Sequence, residues 1–142
     1  MMTVAAPFRL AVLGALAGSI ALATGAAFAA QGSTRNGMNA AGDAARFEVF
    51  PGRAAGGADL FCAAGDFARV HLGARATDRV ELVGAPAPSL TRPGQRSVVF
   101  ALRPQSAARP TGLDTVLLRP RAEGNSRSVA FAANLCNSIE RR

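Results

Sequence analysis

The chain has 142 residues, a formal net charge of +7 and sixteen basic residues, every one of them arginine. It contains eight Phe, no Trp, no Tyr and only two cysteines. That length excludes more than one sizeable domain, and the arginines are scattered, with no block of like charge that would make a basic tail.

Arg9 is the first charge, and a small, apolar run, Leu10–Ala23, follows it. Ala27-Phe28-Ala29 then supplies the small-x-small pattern of a signal-peptidase site. Residues 1–29 therefore read as a signal peptide, which places the mature chain in the periplasm or outside the cell. Leu10–Ala30 is also long enough to span a bilayer, so a retained anchor is the competing reading. Its Ala and Gly content and the lack of a following Lys/Arg cluster argue against that. With the signal removed, nothing is expected to hold the chain in a membrane.

Cleavage after Ala29 leaves 113 residues, of which 24 are Leu, Ile, Val or Phe. That share lies close to the composition at which chains cease to fold, so the core is expected to be thin. Cys62 and Cys136 lie 74 positions apart, and a lone pair of cysteines in an oxidising compartment is expected to form a disulfide. Two free thiols, a metal site or a catalytic thiol are the alternatives. In a chain-entropy treatment, closing that loop contributes about 4 kcal/mol. Domains typically have only about 5–15 kcal/mol of net stability.

Residues 30–44 are small and polar without periodicity and read as a flexible leader before a single domain over 45–142. Arg46–Phe50 alternates as a short strand and is closed by Pro51-Gly52. Asp59 reads as the N-cap of a helix running to about Leu72, with Leu60, Ala63, Ala64, Phe67 and His71 on one face. Gly73 stops that helix, and Arg69 in its last turn suits the helix dipole. Gly65 costs about 1 kcal/mol relative to Ala in a helix, which either a close helix or strand approach beside the bridge or plain codon bias would explain.

A second strand is expected over Arg79–Val83, ended by Pro86 and Pro88, which cannot donate to a ladder. Ser97–Leu102 is the third, with Val98, Phe100 and Leu102 on one side, and Thr115–Leu118 the fourth. From Ser126 to Ile139 the pattern turns helical, with Val129, Ala132, Ala133, Cys136 and Ile139 in one stripe. The order β-α-β-β-β-α, with a right-handed β-α-β start, predicts a small two-layer α+β domain. Two helices joined by Cys62–Cys136 would cover one face of a mixed sheet.

The candidates for chemistry are few. His71 is the only histidine, and within one helix it stands about half a turn out of phase with Cys62 and about 13 Å away along the axis. Asp66, one turn beyond Cys62, would raise a thiol pKa. Cys136 could meet His71 only if no disulfide forms. Asp59 and Asp66 share a helix face, but Asp59 reads as a cap and Asp66 as a partner for Arg69. Gly52–Gly57 resembles a phosphate cradle, yet Ala58-Asp59 stands where a P-loop needs Lys and Ser or Thr. The residues assign no catalytic group, metal or cofactor.

Leu60-Phe61-Cys62-Ala63-Ala64-Gly65-Asp66-Phe67-Ala68-Arg69, with Thr77-Asp78-Arg79 and Ala133-Asn134-Leu135-Cys136, resembles a group of short exported alphaproteobacterial proteins. The resemblance covers about residues 46–137. It implies a helix of the form aromatic-Cys-x-Ala-Gly-Asp-aromatic-Ala and a late cysteine that recur together. Phe61 and Phe67 stand where Trp and Tyr are more usual. It supports the architecture and supplies no mechanism.

The expectation is a non-catalytic envelope or interaction domain, partnered by an envelope protein or an anionic polymer, with no specific nucleic acid. A polyanion-binding module using dispersed arginines is the first alternative, and a thiol-dependent enzyme the second.

Overall fold

The computed structural model describes residues 29–107 and 117–140. Six strands form one sheet: β1 (Ala30–Ser33), β2 (Asn39–Gly42), β3 (Phe47–Phe50), β4 (Arg79–Pro88), β5 (Arg96–Arg103) and β6 (Ser126–Ser128). Helix α1 (Gly57–His71) follows β3, and α2 (Val129–Ile139) follows β6. The spatial order is β1-β2-β3-β5-β4-β6, and every ladder is antiparallel. The two-layer α+β architecture with one disulfide is as expected. The sheet is antiparallel rather than mixed because β5 returns from β4 and inserts between β4 and β3.

Alternation along the strands decides which face is covered. Phe47, Val49, Val80, Leu82, Val98 and Phe100 turn toward the helices and are fully buried. The ring of Phe47 lies 5.3 Å from that of Phe67 and 5.9 Å from that of Phe100, while Phe61 meets Phe100 edge-on at 5.3 Å. These four rings join the sheet centre to α1. Burial of each contributes about 1.5–3 kcal/mol relative to exposure, which lets a core short of large residues hold.

Helix α1 is buried almost all round from Leu60 to Ala68, because the sheet takes one side and α2 another. It starts three residues earlier than expected. Gly56 is its N-cap, and Asp59, at the third helical position, accepts the Gly56 N–H at 2.8 Å. Gly73, in the left-handed region at φ 65°, ends it.

Four expectations need correction. The stretch 30–44, read as a flexible leader, is a hairpin: β1 pairs with β2, and β2 with β3. Its small residues are there because α1 passes close by. A Cβ on Gly32 would strike the His71 ring, and Ala40 is fully buried in the core. The second strand does not stop at Val83. β4 continues through register shifts at Leu82/Gly84 and Gly84/Ala87 to Pro88. It pairs with β6 only over Arg79–Glu81, so the later prolines need donate to no ladder on that edge.

The expected fourth strand falls partly outside the described residues, and Leu117 and Leu118 are not in a strand. The last helix begins at Val129, not Ser126. Ser126–Ser128 pairs with β4 as β6, and the Ser128 hydroxyl oxygen then caps α2 by accepting the Phe131 N–H.

Candidate functional site

Cys62 lies on α1 and Cys136 on α2, each on the fully buried side of its helix. They are joined as a disulfide, with their Cα atoms 5.0 Å apart. Three residues along α1, a Cβ on Gly65 would come within 2.5 Å of the Ala133 backbone nitrogen and 2.6 Å of the Ala132 Cβ. The glycine permits the helix contact that the bridge then locks, as its position beside Cys62 suggested.

The next residue, Asp66, is buried and serves as the charged centre of the same interface. Its carboxylate accepts the Arg35 backbone N–H at 3.0 Å and the Arg35 Nε–H at 3.2 Å, and Arg69 Nη2–H at 3.2 Å. Arg35, in the β1–β2 turn, also donates to Asn137 Oδ1 and the Ala133 carbonyl on α2. One arginine thus ties the hairpin, α1 and α2 together. Burial pushes the Asp66 carboxyl upward, but the Arg35 N–H and the two guanidiniums outweigh it and hold the group below its usual value. The Asp66–Arg69 pair was legible from its spacing. Arg35 was not, because its stretch read as a leader. A shallow depression of about 360 Å³ lies over this latch, lined by Arg35, Arg69, Ala133, Asn134 and Asn137.

Both cysteines of the chain are consumed by the bridge, so neither offers a thiolate to His71. The His71 ring instead lies 5.1 Å from that of Phe67, over Gly32. Asp59 closes the helix start, as above, and forms no carboxylate pair with Asp66. Among the described residues no group of three His, Cys, Asp or Glu converges as metal ligands, and no helix is long and apolar enough to cross a membrane.

The opposite sheet face carries a second buried carboxylate, Glu48. It accepts the Ser89 hydroxyl at 2.7 Å, the Leu90 N–H at 3.0 Å and the Thr91 hydroxyl, all from the β4–β5 turn. Burial raises its pKa, but these donors prevail and leave it below the usual value. The bond set folds the turn over the outer face of β3. Arg92 is thereby placed with its guanidinium carbon 4.2 Å from the Phe50 ring centroid.

Ion pairs among the described residues include Arg35–Asp66, Arg69–Asp66, Arg75–Asp78 and Arg103–Glu81. Arg127 is buried between Phe61 and Phe131, bonded to Asn125 and the Ser126 carbonyl. Burial, with Arg79 nearby, lowers its pKa. Comparison with protein-family models, curated proteins and solved structures finds nothing that matches this chain.

Proposed function

We propose that the chain is exported and acts outside the reducing cytosol as a disulfide-locked domain with a non-catalytic envelope or interaction role. The observation that carries this reading is the Cys62–Cys136 bridge at the centre of the helix interface. Disulfides persist in oxidising compartments and are rare in the cytosol. A domain with so few large apolar residues depends on such a link more than a larger core would. The signal-like pattern of residues 1–29 supports the same compartment. Each cysteine is a structural tie in this reading, and what remains for function is surface.

A fusion of residues 1–29 to a reporter enzyme that becomes active only after export tests the compartment. Activity is the expected result, lost when charged residues replace part of Leu10–Ala23. A reporter that stays inactive in the native host would contradict export.

A further inference from the structure

Phe50 ends β3, and Arg96 begins β5. Val49 pairs with Val98, so the strands run out side by side at this end of the sheet. The loop after β3 and the β4–β5 turn therefore meet there, bringing Arg53 from the loop, Arg92 from the turn and Arg96 from the start of β5. Arg53 and Arg96, with Phe50, Pro51, Gly52 and Gln95, line a depression of about 460 Å³. Arg92 is not part of that lining but stacks on the ring of Phe50, which is. None of the three arginines is in an ion pair among the described residues.

Two of the arginines are already held in place. Arg92 is stacked on Phe50, and Arg96 donates one N–H to the Pro86 carbonyl at 2.7 Å. Their other guanidinium donors remain available. The nearby acids do not quench them. Glu48 has its oxygens taken by Ser89, Leu90 and Thr91, and Glu123 accepts the Ala85 N–H further along β4. On the same turn Leu90 is 75% exposed. Guanidinium groups suit phosphate because their planar forks match its oxygens. An exposed apolar side chain beside basic residues suits the boundary of a lipid surface.

We infer that this cleft binds a phosphate group, as carried by an anionic lipid headgroup or free in solution. Arg53 and Arg96 take the oxygens from two sides, Arg92 adds charge from above Phe50, and Leu90 rests on the acyl boundary when the phosphate belongs to a lipid. Contact is peripheral and needs no membrane-spanning segment. The inference goes beyond the interaction-domain proposal by naming a surface and a chemistry. Binding in vitro does not depend on export, so the two can fail separately.

The test uses the disulfide-bonded protein with two probes. One is cosedimentation with vesicles of phosphatidylcholine alone or mixed with phosphatidylglycerol. The other is titration with inorganic phosphate, followed by NMR at the arginine side chains. Each arginine near an anionic surface is worth about fivefold in affinity, so Arg53→Gln should weaken vesicle binding by about that factor. Replacing all three arginines by Gln should weaken it on the order of a hundredfold. Arg75→Gln, at the other end of β4, removes the same charge and should change little. Arg53 is exposed and makes no side-chain hydrogen bond or ion pair among the described residues, so its variant keeps the test informative if the triple variant fails to fold.

Binding to the mixed vesicles alone, weakened about fivefold in Arg53→Gln, supports a lipid headgroup. Shifts at Arg53 and Arg96 with inorganic phosphate support a soluble source. No response to either probe overturns the inference, as does an equal loss in Arg75→Gln.

Discussion

Arg35 and Arg69 share the carboxylate of Asp66 between the helices, whereas Arg53 after β3 and Arg92 and Arg96 by the β4–β5 turn have no carboxylate partner among the described residues. Two of the buried acids divide in the same way. Asp66 is met by cations, and Glu48 by two hydroxyls and a backbone N–H. Charge at the helix interface is therefore spent on holding three elements together. At the turn, neutral donors on the Glu48 carboxylate do the holding and leave the arginines free to meet something else. Net charge alone could not separate these cases, since it counts both groups of arginines equally.

If the helix interface is structural, breaking it should cost stability in a graded series. The largest effect is expected from removing the bridge. Cys62→Ala with Cys136→Ala should lower unfolding stability by about 4 kcal/mol, measured by urea denaturation. Next comes Gly65→Val, whose side chain must displace the Ala132–Ala133 backbone. It should cost about 1–3 kcal/mol through overpacking. Even Gly65→Ala should destabilise, against the roughly 1 kcal/mol that Ala gains in a helix, and a stabilised Gly65→Ala would show that the helices can part without loss. Asp66→Asn should cost about 2 kcal/mol, the scale of hydrogen bonds to a charged group, and should loosen the β1–β2 turn in hydrogen exchange.

Acid sharpens the contrast further. Both carboxyls are held below their ordinary values, 3.8 for Asp66 and 4.5 for Glu48. A depressed folded pKa adds stability that is fully present above the unfolded value and is lost as pH falls through the folded one. Stability should therefore be level above about pH 5 and decline below about pH 4. Asp66→Asn and Glu48→Gln should each flatten part of that decline. Added salt should weaken the Asp66 contribution more, because its partners are half-exposed guanidiniums. Equal salt responses would erase the distinction drawn between the two carboxylates. The smallest effect, about 1 kcal/mol or less, is expected from Glu48→Gln, which retains an acceptor for the turn.

Much of the helix layer was legible in the sequence. Leu60, Ala63, Ala64 and Phe67 repeat at helical spacing and are all buried, and so do Val129, Ala132, Ala133 and Cys136. Val98, Phe100 and Leu102 likewise turn to one side of β5 as their alternation indicates. What escaped was written in small or forbidden residues. Ala30, Gly32 and Ala40 give no apolar period, yet the close passage of α1 demands their smallness. Pro86 and Pro88 deny a strand by rule, but β4 lies on an edge there and needs no donors. Arg35, the residue that ties the latch, was hidden for the first reason, and the Arg53–Arg92–Arg96 cleft because only strand order brings its two loops together. Gly65, by contrast, was informative as a misfit: a poor helix former beside a cysteine pointed to the helix contact.

The central claim is a bridged protein outside the reducing cytosol, and intact mass measures it most directly. The protein would be isolated from its native host with thiols blocked at lysis, then weighed before and after reduction and alkylation. The account predicts a chain beginning at Ala30, two hydrogens lighter than the dithiol, that takes up two alkyl groups only after reduction. A full-length chain that is alkylated at Cys62 and Cys136 without reduction would contradict it.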